Sequence, residues 1–304
     1  MCEALPGCSG CGFYAVYDGH GGHRAATFAA ERMQGFLTAS PAFKHHDLKQ
    51  ALLQAFSDCE GEFIQIAGRE GLRDGTTAVV ALVEEQVLTI AHVGDSRGVL
   101  CRASGTTIAI TQDHKPELEQ EKQRIESLGG FVSYIGCWRA MGILAMSRAI
   151  GDLFLKPYVS AEPDIAVVPL HDTDEFVVLA SDGVFDVFDN EQVVRIVRSA
   201  GSPQEAANLL TQSAFHAGSL DNVTAVVVAL HGYKPRGVAA ATSVAEGYWT
   251  GPHSASELGT SRGMRISASG EMIAAAWDGM DCSSNDDASR WRRRHTAWLD
   301  FVAC

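Results

Sequence analysis

Two apolar runs stand back to back at residues 76–84 (TTAVVALVE) and 86–94 (QVLTIAHVG), both enriched in Val, Ile and Thr. A parallel strand pair needs a crossover of a dozen or more residues, and only Glu85 lies between these two. They are therefore predicted to be antiparallel neighbours, joined by a hairpin at Glu84-Glu85-Gln86. This counts against a doubly wound parallel sheet, which the mixture of strand-like and helix-like segments would otherwise suggest. No Gly-rich phosphate loop of the nucleotide-binding type is present either. The prediction is an α+β fold, with helices packed outside two facing antiparallel β-sheets.

The helical segments are read from their periods. At 47–66, Leu48, Leu52, Ala55, Cys59, Phe63 and Ile66 recur at three- and four-residue steps, one face of an amphipathic helix. An Ala-rich stretch at 24–37 carries Phe28, Met33 and Phe36 as its larger residues. A helix at 116–128 is expected to open at Asp113 or Pro116 and close at Gly129-Gly130. Another begins at Ser202-Pro203-Gln204-Glu205, a capping-box pattern, with Ala206, Leu209, Leu210, Ser213 and Ala214 on its buried side. Residues 130–148 mix Gly, aromatic and apolar types without a period, which fits an ordinary surface loop.

Chemistry enters where strands end. The run Phe13 to Tyr17 meets Asp18-Gly19-His20-Gly21-Gly22. A carboxylate at a strand end is rigidly aimed, and Gly19 lets its backbone carbonyl approach an ion. His20 then stands where it can pass a proton to a leaving group. Asp-Gly is also a common hairpin pair, so the segment alone decides nothing. The pattern recurs, however. Residues 88–94 lead into Asp95, residues 175–181 lead into Asp182, and Asp221-Asn222 precedes the strand at 223–228. Four carboxylates at the ends of neighbouring strands can converge. Oxygen donors without a His or Cys cluster select Mg²⁺ or Mn²⁺ over zinc. Two such ions roughly 3.5–4 Å apart activate a water and clamp a phosphate for in-line attack.

The chain resembles the metal-dependent serine/threonine protein phosphatases of type 2C. The matching blocks are YDGHGGHRAA from Tyr17, DGTTAVVAL from Asp74, HVGDSRGVL from His92 and DHKPE from Asp113. They continue with RIESLGGFV from Arg124, LAMSRAIGD from Leu144, ASDGVFD from Ala180 and SLDNVTAVVV from Ser219. Eight ordered blocks over residues 13–230 form a specific signal. The resemblance implies a four-layer α-β-β-α sandwich that hydrolyses phosphoserine and phosphothreonine in proteins with a two-metal-activated water. By matched position, Asp18 bridges two Mg²⁺ or Mn²⁺ ions, the Gly19 carbonyl joins one, and Asp182 and Asp221 complete the core ligands. Asp95, Asp186 and Asp182 match the carboxylates of a weaker third ion, His20 the general acid and Asn222 a nearby polar residue. The stretch from Gly136 resembles the branch acting on calmodulin-dependent kinases, which implies phosphorylated protein kinases among its partners.

The family also carries an earlier strand and an Arg…Glu-Asp segment, whose arginine grips the substrate phosphate. Residues 1–12 contain no arginine. That departure leaves either a truncated chain or a weakened grip on phosphate. It motivates an alternative function, a catalytically weak scaffold that binds phosphoproteins or a regulatory partner. Arg24 and Arg148 are candidate substitutes, each expected instead to be structural.

Composition narrows the remaining classes. The net charge is −13, and through residue 234 there are 29 acidic against 17 basic side chains, so no basic face for nucleic acid is expected. The eight cysteines, at 2, 8, 11, 59, 101, 137, 282 and 304, form no regular framework. No signal peptide and no 18-residue apolar run is visible, so no membrane span is expected and a reduced, cytoplasmic or nuclear location is. The expected organisation is an irregular lead at 1–12, a phosphatase domain at 13–232, and an irregular or disordered tail at 233–304. The tail carries Trp249, Trp277, Trp291 and Trp298 and a basic patch at 290–295.

Overall fold

The computed structural model describes residues 2–5, 10–84, 86–234 and 272–276. The 76–94 hairpin forms as strands β5 (Ala78–Glu84) and β6 (Val87–Val93), antiparallel with Glu84 opposite Val87. They are the middle of a five-stranded antiparallel sheet in the order β1 (Cys2–Ala4), β2 (Cys11–Val16), β5, β6, β12 (Asp164–Pro169). A second antiparallel sheet runs β15 (Met272–Ala276), β14 (Thr224–Ala229), β13 (Phe176–Ala180), β7 (Arg97–Arg102), β8 (Thr106–Ala109).

Side-chain alternation explains why the two sheets stack. Val79 and Ala81 of β5 point into the inter-sheet core, with Val16, Ile90, Leu100, Val177, Leu179 and Val226. The residues between and beyond them, Val80 and Leu82, face the other way and pack with Phe13, Met33, Leu52 and Phe56. Met33 lies on α1 (Arg24–Ala39) and Leu52 and Phe56 on α3 (Leu48–Glu70), with the short α2 (Pro41–Lys44) between these helices. Beyond the second sheet, Val99, Phe176 and Val178 pack on Val193, Val197, Ala206 and Leu210. A strand buried on both faces reads as a continuous apolar run, as these do. The result is the expected four-layer α-β-β-α arrangement.

Helix termini follow local chemistry. The Asp47 carboxylate accepts from Gln50 N at 3.0 Å to open α3, and Gly71 closes it at φ 68°. Helix α4 (Glu119–Ser127) starts later than Asp113 or Pro116. The Asp113 carboxylate is already committed to the Arg97 guanidinium at 2.9 and 2.8 Å, so it cannot cap the helix. Four-residue α5 (Asp182–Phe185) follows β13, and α6 (Asn190–Ser199) is capped by a reciprocal Asp189–Gln192 box. In α7 (Pro203–His216) Ser202 accepts from Glu205 N as expected, but the Glu205 carboxylate turns to Gly201 N instead of closing the box. Ala206, Leu210 and Ala214 are buried there, together with Ala207 and Thr211.

Two expectations about irregular segments, at 1–12 and 233–304, need correction. The 1–12 lead supplies β1, whose Cys2 sits opposite Tyr14, and the start of β2, because backbone pairing extends that strand two residues before Phe13. Within 233–304, residues 272–276 add β15 to the open edge of β14. Residues 235–271 and 277–304, which carry the four tryptophans and the basic patch, lie outside the described residues. Residues 130–148 hold a hairpin, β9 (Val132–Ile135) and β10 (Cys137–Ala140), turned at Gly136 with φ 74°. Tyr134 and Trp138 meet edge-to-face on it at 5.5 Å.

Candidate metal centre and its histidine

The carboxylates are positioned by ties that cross between strand ends. After β2, the Asp18 backbone is clamped on both sides: Asp18 N donates to Thr77 Oγ1 at 3.1 Å, and Asp18 O accepts from Thr77 N at 2.8 Å and Thr76 Oγ1 at 3.0 Å. Thr77 Oγ1 also shares a 2.7 Å hydrogen bond with Ser96 Oγ, beside Asp95 in the β6–β7 turn. In the second sheet, Ser181 Oγ donates to Asn222 O and accepts from Thr224 N, both at 3.1 Å. That tie holds Asp182, the first residue of α5, against Asp221. Gly183 makes the approach possible, because a Cβ there would collide with Asn222 O.

The electrostatics show that these groups share one place. Burial first, then the charges of Asp182, Asp221 and Asp95, push the Asp18 carboxyl far above the usual carboxylate range. Burial, then Asp95, Asp221 and Asp186, raises Asp182 to about 7. Burial, followed by an opposing pull from Lys115 and pushes from Asp221 and Asp95, raises Asp186. Asp18 thus lies in the fields of Asp95, Asp182 and Asp221, and Asp186 joins the group through Asp182, Asp95 and Asp221. Asp182 Oδ1 is buried without a hydrogen-bond partner. Among the described residues, no three His, Cys, Asp or Glu side chains close on one point as a finished cage. Mutually repelling oxygen donors and an orphaned carboxylate oxygen nevertheless fit a hard divalent cation, whose charge would relieve both.

His20 belongs to a small sheet that the sequence did not reveal. Two-residue strands β3 (Gly19–His20), β4 (Gly75–Thr76) and β11 (Ile150–Gly151) pair antiparallel, with β4 in the middle. This places His20 Nε2 at 2.7 Å from Asp152 Oδ2, a carboxylate 132 positions away and only 1% exposed. Gly75 leaves room for the pair, since a Cβ would strike both His20 Nε2 and Asp152 Oδ2. His20 Nδ1 is buried without a protein partner.

Two cations considered as phosphate ligands are occupied elsewhere. Arg24 donates to the fully buried Asp74 through Nε and an Nη at 3.0 and 2.7 Å. Arg148 holds Glu121 at 3.0 and 2.6 Å and Asp164 at 2.8 Å. Both are structural, as expected. Asp152, Thr77, Ser181 and Lys115 escaped the sequence reading. The last places Nζ 2.5 Å from Asp95 Oδ2.

The layered sandwich thus draws acidic strand ends from both sheets toward one another, an arrangement shared with a class of phosphatases. The family model "Protein phosphatase 2C" matches residues 6–223, and the chain belongs to that family. Among its relatives, "Probable protein phosphatase 2C 59" of Arabidopsis thaliana is 42% identical over 217 residues, 71% of this chain and 69% of that protein. Protein phosphatase 1F of Homo sapiens is 43% identical over 223 residues, 72% of this chain and 49% of that one. The chain therefore spans about half to two thirds of these relatives' lengths. A solved structure of a C. elegans sex-determining protein superposes with a TM-score of 0.66 at 29% identity, covering 71% of this chain and 56% of that one. Serine-threonine phosphatase 2C from Toxoplasma gondii gives 0.66 at 25% identity, covering 73% and 86%. No helix among the described residues is long and apolar enough to cross a membrane.

Proposed function

We propose that this chain hydrolyses phosphoserine and phosphothreonine esters in proteins, using Mg²⁺ or Mn²⁺. The observation that carries this reading is the mutual proximity of Asp18, Asp95, Asp182, Asp186 and Asp221 at the ends of strands from both sheets. Asp18, the Gly19 carbonyl, Asp182 and Asp221 would hold the two core ions, with Asp95 and Asp186 serving a weaker third. When bound, such ions supply a nucleophile at neutral pH and neutralise the phosphate's charge. The protein's own part is to keep these donors in register through the Thr77–Ser96 and Ser181–Asn222 ties. His20 supplies the proton to the departing seryl or threonyl oxygen, and Asp152 fixes the ring that carries it. The acidic surroundings favour basic phosphopeptides over nucleic acid, and phosphorylated protein kinases are the proposed substrate class.

The test is phosphate release from a phosphothreonine peptide by the full 304-residue chain, with and without Mn²⁺ or Mg²⁺. Release is expected to depend on metal and to fall by at least roughly a thousandfold in Asp182→Asn, with the fold retained. A folded, metal-binding chain that binds phosphoprotein without turnover would replace this reading with a binding role.

A further inference from the structure

The weaker third ion is assigned by position to Asp95, Asp182 and Asp186. A cation of the protein's own already stands among those three groups. Lys115 Nζ lies 2.5 Å from Asp95 Oδ2, with the Asp95 side chain 4% exposed and the lysine 33%. The lysine's charge also reaches beyond Asp95: it opposes the rise in both Asp182 and Asp186.

Its position is fixed at the backbone and free at the tip. His114 N donates to Gly94 O at 2.9 Å, and Gly94 N donates to His114 Nδ1 at 3.1 Å. These two bonds pin the residue before Lys115 to the residue before Asp95. Leu118 N closes a turn onto Lys115 O at 3.2 Å. From this anchor a four-carbon stem carries a compact ammonium, which can swing without moving the chain. Among the described residues, no lysine or arginine forms an ion pair with Asp18, Asp182 or Asp221.

We propose that the Lys115 ammonium is a tethered counter-cation that occupies the place of a third divalent ion and must leave Asp95 before that ion can bind. An ammonium and a divalent ion drawn to the same Asp95 oxygen repel each other at close range, so binding the ion favours displacing the lysine. The core ligands face no such rival. The third site is weak because it is already neutralised, and Asp95 stays paired when metal is scarce. The inference rests on the metal-dependent reading proposed above.

The experiment is a Mn²⁺ titration of the chelator-stripped 304-residue chain, with free Mn²⁺ read from its aqueous electron paramagnetic resonance signal. Lys115→Met keeps the stem and removes the charge, and is expected to tighten the weakest class of sites by roughly tenfold while leaving the tight class unchanged. Adding Asp186→Asn to that variant should remove the gain. A weak class that is unmoved or weakened in Lys115→Met, beside an intact tight class, overturns the lysine's role alone. Loss of every class in the wild-type chain overturns it together with the metal-dependent reading. A second measurement needs no variant: acetylation of Lys115, followed by mass spectrometry in the wild-type chain. The rate should rise at least roughly threefold when Mn²⁺ fills the weak class, and not when it fills only the tight one. A rate indifferent to the weak class overturns the proposal.

Discussion

Asp152 occupies the left-handed region, with φ 51° and ψ 45°, and its carboxylate is buried under His20. A non-glycine residue held there is uncommon, and such strain gathers at functional positions. Its backbone is fixed from both sides: Asp152 N donates to Asp74 O at 3.0 Å, and Asp152 O accepts from Leu155 N at 2.8 Å. With Nε2 engaged, Nδ1 is the nitrogen left without a protein partner. His20→Gln is expected to slow phosphothreonine peptide turnover by roughly 10²–10⁴-fold and aryl phosphate turnover far less, because a phenolate leaves without acid help. Asp152→Ala should show the same leaving-group bias at a smaller size, in kcat more than in KM. Equal losses on both substrates would remove the proton-transfer role from His20 and the orienting role from Asp152.

At the scale of elements, the α5 start and the β14 start meet across Gly183. Gly183→Ala would force the Asn222 carbonyl away and separate Asp182 from Asp221. The expected result is a loss of about 1–3 kcal/mol in stability, with Mn²⁺ affinity and turnover falling together; unfolding curves and metal titration check it. A variant that loses stability but keeps wild-type affinity would uncouple the contact from the centre. The same scale shows what the sequence could reveal. The β5–β6 hairpin was legible because two long apolar runs left no room for a crossover. Helix α3 was legible because Leu48, Leu52, Ala55, Cys59 and Phe63 keep its period and are all buried. Helix α6 was missed, although Asp189 and Gln192 spell its cap, because Val193-Val194 and Ile196-Val197 over ten residues read equally as a strand. The strands β3, β4 and β11 were invisible, since two residues carry no period. Strand-end carboxylates announce themselves locally. Asp152 and Lys115 acquire their roles only through partners 132 and 20 positions away.

Across the whole molecule, the helix–sheet–sheet–helix stack leaves a few polar groups inside, and their protonation links stability to pH. His92 and His114 stack at 4.4 Å with rings 6° from parallel, both nearly inaccessible. Burial first, then His92 and Arg148, against an opposing pull from Asp164, lowers His114 to about 4. The folded state therefore prefers neutral His114, while the unfolded chain takes up a proton near pH 6.5. Its contribution is complete above that pH and is lost as pH falls from about 6.5 toward 4, a window worth about 3 kcal/mol. Urea unfolding of wild type and His114→Gln at pH 7, 5.5 and 4.5 checks this: the variant should lose less stability over that range. A parallel decline in both proteins would place the acid sensitivity elsewhere.

The proposed ligands of the centre are spread from Asp18 to Asp221, and the tie that seats the last pair needs Thr224. A ribosome adding about 5–20 residues per second takes about 10–40 s to travel that distance. During that interval β5 and β6 are exposed without the second sheet that covers them, and a growing chain has Asp18 and Asp95 but not Asp221. Nascent fragments of this protein cannot hold the complete set of proposed core ligands in place before synthesis has passed Thr224.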